Sequence, residues 1–272
     1  MNLDINIIID DNPISRCYIY ILKKKNIKFK NLIYLQKKNF LLTKKLNAIL
    51  NYRNKNYYPL IFLKDRNLKK LVREVELYFG FEENFFLNMY NFENMFHVSE
   101  NIFYCNSENI NSDIVIKKLN DLSKSYIFNT GSQILREILD CNHKFVHIHP
   151  GYLPNIKGAD GSLWHVLKTD YFGVSSFFMN KKIDNGIIIS RKKINLPTFD
   201  KNIFISKDVK KLYRFWFSFI DPLIRGSLFL DLVESKFDFE NIIEKKVRNE
   251  SSHYYSFMDD KNLKKVFNKI FR

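Results

Sequence analysis

Phe145-Val146-His147-Ile148-His149-Pro150-Gly151-Tyr152-Leu153-Pro154 is the stretch on which the fold turns. Phe145 to Ile148 reads as a short buried strand. A loop bracketed by Pro150 and Pro154 follows it. On a strand, side chains two apart share a face. His147 and His149 therefore point the same way at the end of the strand, where both rings could reach one cavity.

Upstream, short apolar runs alternate with helical periodicity. Ile5 to Ile9 reads as a strand closed by Asp10-Asp11-Asn12-Pro13. Ser15 to Lys24 reads as a helix and Phe29 to Leu35 as a strand. Phe40 to Leu50 is helical, Leu60 to Leu63 a strand, and Leu68 to Phe79 a helix. Phe81 to Glu100 reads as irregular. Ile102 to Cys105 is a strand, and Asp113 to Leu122 a helix with Asn111 or Ser112 to cap it. Ser125 to Asn129 is a strand, Thr130-Gly131-Ser132 a turn, and Gln133 to Leu139 a helix. This alternation implies α/β architecture, a parallel sheet with helices on both faces. Functional residues in such sheets gather beyond the carboxyl ends of strands. Thr130-Gly131-Ser132 and His149-Pro150-Gly151 both lie there. No GxGxxG follows the first strand, which argues against ordinary dinucleotide binding.

Downstream, Ser162 to Leu167 reads as a helix. Gly173 to Met179 and Gly186 to Ile194 read as strands. Val209 to Val233 reads as a helix interrupted at Asp221-Pro222, since proline removes a hydrogen bond. Leu263 to Phe271 is a short amphipathic helix. The expected division is 1–196 as one domain, with 197–272 as a small, mainly helical C-terminal extension.

The chain has 272 residues, 46% of them hydrophobic and 16% aromatic, which fits a globular protein and excludes a disordered one. Its formal charge is +15, from 44 Lys+Arg against 29 Asp+Glu. Such a balance can mark a nucleic-acid partner. Here the excess is mostly scattered lysine among Asn, Ile and Phe, as an AT-rich genome produces, and favours no nucleic-acid role. A phosphorylated or nucleotide-linked substrate fits the charge. Cys17, Cys105 and Cys141 form no CxxC, and their odd number suits a reducing cytoplasm. Acidic residues near the start (Asp4, Asp10, Asp11) argue against a signal peptide. No apolar run approaches a membrane span.

Two chemistries compete for the histidine pair. Zinc would need further ligands, and Cys141 and His143 are near in sequence. The alternative, which we favour, makes His149 an acid/base group, since imidazole transfers protons near neutrality. Asp184 is the candidate that would fix its tautomer. Asp184-Asn185-Gly186 also suits a hairpin turn.

The run Phe128 to Asp140, then Val146 to Pro154, Gly158-Ala159, Trp164, Gly173-Val174 and Ile183-Asp184-Asn185-Gly186, resembles the N10-formyltetrahydrofolate-dependent formyltransferases. That family reads Asn-x-His-Pro-(Ser/Gly)-x-Leu-Pro, with Asp-x-Gly some thirty-five residues later. Asp184 follows His149 by that interval. The match covers roughly 126–190, and the region before it matches only as architecture. The resemblance implies a Rossmann-like, mostly parallel sheet and a catalytic trio of Asn, His and Asp. His149 and Asp184 take the last two places. His147 occupies the asparagine position, a departure from the pattern at the group that holds the formyl oxygen. An imidazole can donate a hydrogen bond there too.

The resemblance further implies N10-formyltetrahydrofolate as formyl donor. Gly131, Gln133, Ile134 and the backbone near Ile183 would line its pocket. For Gln133 to Leu135 an ordinary helix start is an equal reading. The acceptor would be a small amine, with an amino sugar nucleotide in polysaccharide biosynthesis leading. Methionyl-tRNA is the runner-up, disfavoured because the tail does not resemble that enzyme's β-barrel. Formyl-folate hydrolysis and a non-catalytic relative are the remaining alternatives. Asp160 could bind the acceptor amine, or cap the helix that follows it. Tyr213, Arg214 and Arg225 could touch acceptor or phosphate. The aromatic helix that carries them also suits packing against a core or a homodimer partner.

Overall fold

The computed structural model describes residues 1–36, 58–91, 97–200, 202, 208–239 and 251–272. The expected helix Phe40 to Leu50 lies outside them. The chain forms two compact units, each assembled from three segments. The first comprises 1–58, 89–147 and 178–186, and the second 59–88, 148–177 and 187–272.

The first unit is built on parallel pairing. Strands β1 (Asn2–Ile9), β2 (Lys28–Leu35), β3 (Asn101–Cys105), β4 (Tyr126–Asn129) and β5 (Lys144–His149) pair in the order β3-β2-β1-β4-β5. Every one of these neighbours runs parallel. Parallel neighbours need a crossover. Helix α1 (Pro13–Lys25) supplies the one between β1 and β2. Asn12 caps it by accepting from the Ser15 N–H at 2.8 Å, and Pro13 takes its first turn. Lys23, Lys24 and Lys25 fill its last turn, where cations meet the negative end of the helix dipole. Ile8, Ile33, Ile127 and Phe145 pack into one buried cluster with the thiols Cys105 and Cys141. Cys17 is also buried, and burial pushes all three thiols up.

The second unit holds β7 (Tyr171–Phe178) and β8 (Ile188–Asn195), which pair antiparallel. A short parallel pair, β6 (Ile156–Gly158) with β9 (His253–Tyr255), stands apart from them. Its helices are α2 (Tyr58–Phe62), α3 (Arg66–Tyr78), α4 (Phe85–Asn91, which starts here), α6 (Gly161–Lys168), α7 (Val209–Phe215), α8 (Asp221–Glu234) and α9 (Asp260–Ile270), while α5 (Asp113–Asn120) belongs to the first unit. Phe62, Phe86, Phe215 and Phe219 meet edge to face in its core. The fold is thus α/β, with a mostly parallel sheet flanked by helices and a mainly helical C-terminal region.

Four expectations need correction. Leu60 to Leu63 is not a strand but falls within α2 and the turn after it. A run of four apolar residues fits either period, and helix won. Phe81 to Glu100 is not wholly irregular, because it contains α4. Gln133 to Leu139 is not an α-helix, and only Glu137–Asp140 makes a 3₁₀ turn. Asn111 explains that outcome. Its side chain donates to the Ile134 carbonyl and accepts from the Arg136 N–H, taking groups a helix would pair internally. Ser112 stands at the N-cap of α5 without a side-chain cap bond.

The expected break at Pro222 takes a different form. Trp216–Ile220 winds as a π turn directly before α8, with proline in the first turn of α8. The i→i+5 pattern absorbs the residue whose N–H is missing.

Candidate active site

In the first unit, β4 ends at Asn129, which is 1% exposed. Its side-chain oxygen accepts from the Gly131 N–H at 3.1 Å, which fixes the turn. Its backbone carbonyl lies 3.0 Å from Nδ1 of half-buried His147. A carbonyl only accepts, so Nδ1 carries the hydrogen. In the neutral ring, Nε2 of His147 is then a lone pair. Sequence reading missed Asn129, although a polar residue closing the apolar run Tyr126–Asn129 is a usable signal.

Gln133 follows the same turn. Its Nε2 donates to the Glu108 carbonyl at 2.6 Å, and its Oε1 accepts from the Ile110 N–H at 3.1 Å. Ile134 and Ile183 expose apolar surface, at 53% and 44%. Asp184 lies in the turn between β7 and β8 with φ +47°, a left-handed conformation that aspartate tolerates better than most residues. It is therefore a turn residue with a half-buried side chain.

In the second unit, His149 is 4% exposed, and its Nε2 lies 3.0 Å from the Ile156 carbonyl. Here Nε2 carries the hydrogen and Nδ1 is the lone pair of the neutral ring. Glycines make this packing possible. A Cβ on Gly151 would stand 2.4 Å from His149 Nε2 and from the Ile156 oxygen. One on Gly161 would stand 2.7 Å from the Pro150 oxygen. One on Gly173 would stand 2.4 Å from Tyr152 and 2.5 Å from His165 Nε2.

His165, wholly buried, was missed by sequence reading. Its Nε2 accepts from the Tyr152 N–H at 2.8 Å, and its Nδ1 donates to Thr169 Oγ1 at 3.1 Å. Burial, then the neighbouring His149 and Lys193, lower its pKa to about 3. It is a neutral strut beneath the motif loop. Ser175 continues the bracing, accepting from the Leu153 N–H at 2.9 Å and donating to the Gly151 carbonyl at 2.8 Å. Arg191 lies over the Tyr152 ring, 4.5 Å from its centroid.

Asp160 does not cap α6 with its side chain, and its φ of +53° is left-handed. Its carboxylate accepts from the Tyr213 hydroxyl at 3.0 Å and the Met258 N–H at 2.8 Å. Burial raises its pKa. Arg225 turns inward, donating to Asp221 at 2.7 Å and to the Ile148 carbonyl at 2.6 Å.

His143 donates from Nε2 to the Leu119 carbonyl at 2.9 Å and accepts the Ser125 N–H on Nδ1 at 3.3 Å. Both nitrogens are committed to the protein. Among the described residues, no three of His, Cys, Asp or Glu gather as a metal site. No described helix is long and apolar enough to cross a membrane.

No protein-family model matches this chain, and no curated protein matches it. Solved structures do. A sugar N-formyltransferase from Shewanella sp FDAARGOS_354 is 14% identical with TM-score 0.47, over 94% of this chain and 76% of that one. An N-formyltransferase from Helicobacter canadensis, in complex with folinic acid and dTDP-3-aminofucose, is 15% identical with TM-score 0.44, over 93% and 71%. A 4-N formyltransferase from Francisella tularensis is 10% identical with TM-score 0.46, over 93% and 76%. At such identities and TM-scores these are resemblances, and they assign this chain no residue and no substrate.

Proposed function

We propose that this chain is an enzyme that transfers a formyl group from N10-formyltetrahydrofolate to an amine acceptor, an amino sugar nucleotide or another small amine, with 197–272 as an extension of the catalytic region. One observation carries the reading. His149, inside the motif that resembles the formyltransferases, is buried with its hydrogen committed to the Ile156 carbonyl. That bond orients Nδ1 as a base.

The chain's groups fit a folate that supplies the formyl carbon. Gly131 brings backbone without a side chain, and Ile134 and Ile183 offer exposed apolar surface to a flat ring. Gln133 gives one amide hydrogen to the Glu108 carbonyl and one lone pair to the Ile110 N–H, which fixes its side chain in the loop. His149 Nδ1 takes a proton from the attacking amine and returns it to the departing folate nitrogen. The amine gains the formyl carbon as that carbon leaves the folate nitrogen. Asp184 serves the protonated form, because a carboxylate favours imidazolium and so raises basicity. His147 meets the negative charge developing on the formyl oxygen. Its neutral ring presents a lone pair at Nε2, so it can donate there only as imidazolium. This wiring is the observation that favours the second reading, a relative with weakened or lost transfer.

The purified protein is incubated with N10-formyltetrahydrofolate and free or nucleotide-linked amines, following tetrahydrofolate release and formylated product. Transfer is expected, and His149→Ala should lower kcat by roughly 10²–10⁴. Folate release without product would mean hydrolysis. No release with any acceptor and no folate binding would end the enzyme reading.

A further inference from the structure

A buried polar chain ends on the residue before His149. Asp221, 0% exposed, accepts from Ser162 Oγ at 2.8 Å and from Arg225 Nε at 2.7 Å. Ser162 Oγ in turn accepts from Trp216 Nε1 at 2.9 Å. Arg225 Nη1 donates to the Ile148 carbonyl at 2.6 Å. Pairing between β4 and β5 stops at Val146, so that carbonyl lies beyond the last pair with β4. An arginine side chain satisfies it instead.

The π turn is what makes this geometry available. Trp216 and Asp221 are five residues apart, and both bond the same hydroxyl of Ser162. In an α-helix, neighbours on one face are three and four apart. The i→i+5 winding brings residues five apart together. Ser162 also follows Gly161, whose missing Cβ would lie 3.2 Å from His149 Nε2. The chain therefore grips the backbone on both sides of the imidazole, at Ile148 and at Gly161–Ser162. A buried ion pair is a costly way to hold a core together, since apolar residues of similar volume often do as well or better. Its use here is geometric.

We infer that Arg225, held by Asp221, Ser162 and Trp216, is a positioning residue that fixes the setting of His149 by clamping the Ile148 carbonyl. The inference rests on His149 being the proton-transfer group of the proposed reaction. It concerns placement, and so has a readout that needs no turnover.

The experiment compares wild type with Asp221→Leu/Arg225→Met, which removes both buried charges together and so leaves neither unpaired. Trp216→Phe is the milder companion, losing the indole N–H to Ser162 together with some buried ring volume. Long-range ¹H–¹⁵N spectra of the imidazoles across pH report tautomer and titration of His149. Wild type should show one Nε2–H tautomer at neutral pH. The double variant, still cooperatively folded, should lose that single tautomer and titrate at a different pH. Its kcat should fall about tenfold or more, the scale of a misplaced acid/base group, with KM for the folate unchanged. Arg225→Lys should restore part of both signals. An unaltered His149 spectrum in the double variant would overturn the inference. If the spectrum moves but wild type transfers no formyl group, the clamp stands and the formyl-transfer reading fails. If the double variant does not fold, Trp216→Phe decides by the same spectra.

Discussion

The surroundings of His147 and of His149 are built on opposite plans. His147 gives its Nδ1 hydrogen to the Asn129 carbonyl and keeps Nε2 as a lone pair. His149 gives its Nε2 hydrogen to the Ile156 carbonyl and keeps Nδ1. Around His147 the partners are a strand end and a turn whose polar side chains pair with backbone. Around His149 they are glycines, a second buried imidazole and a loop braced by Ser175. The glycines leave almost no room around His149. The difference teaches that identical residues two apart on one strand can be held through opposite ring nitrogens, and that residue type alone would not separate them.

The strongest way to break this contrast is Gly151→Ala. Its methyl would meet His149 Nε2 and the Ile156 oxygen at 2.4 Å, so the bond between them must open. Formyl transfer should fall by a hundredfold or more, and stability by about 3 kcal/mol. A variant with wild-type kcat and Tm would show that the close packing has slack.

Acid tests the same side next. His165 is held neutral, with its pKa lowered from 6.5 to about 3. Its contribution to stability is whole above about 6.5 and is lost as pH falls toward 3. That loss should reach about 4 kcal/mol by pH 3. In His165→Gln, stability should be lower at neutrality but flatter against pH over this window. An unchanged slope in denaturant titrations would assign the acid lability elsewhere.

His147→Asn sharpens the other side. An asparagine amide donates a hydrogen bond without first being protonated, so the variant should transfer up to about a hundredfold faster than the native chain at the same pH. Equal rates in the two chains would remove His147 from the oxygen-binding role. The smallest effect is expected from Gln133→Ala, which opens two loop bonds and should lower Tm by a few degrees, about 1–2 kcal/mol. Folate affinity should change less than twofold, and a larger drop would give the Gln133 side chain a direct role.

Much of the first unit was legible because its strands are apolar runs punctuated by turn residues. β2, β4 and β5 fall within a residue of their expected limits, whereas β1 starts three residues before the apolar run Ile5 to Ile9. The motif offered His147, His149 and Asp184 as candidates but said nothing of their hydrogen bonding. Tautomers depend on which carbonyl a ring meets, and Asn129 and Ile156 meet these rings through tertiary packing. His165 gave no sign of its role, because a histidine in an amphipathic helix looks alike whether it is a strut or a surface group. Gln133 to Leu139 misled for a related reason. Its local pattern is helical, but Asn111, over twenty residues away, takes the backbone groups. The π turn at Trp216 left only the proline as a trace.

The distribution of two rare residue types gives this molecule built-in reporters. Cys17, Cys105 and Cys141 are all buried and all belong to the first unit. Trp164 and Trp216, the chain's two tryptophans, both belong to the second. Thiol-labelling kinetics will therefore time the opening of one unit, and indole fluorescence that of the other. Coincident transitions in the unmodified chain would mean that the two units unfold as a single cooperative system.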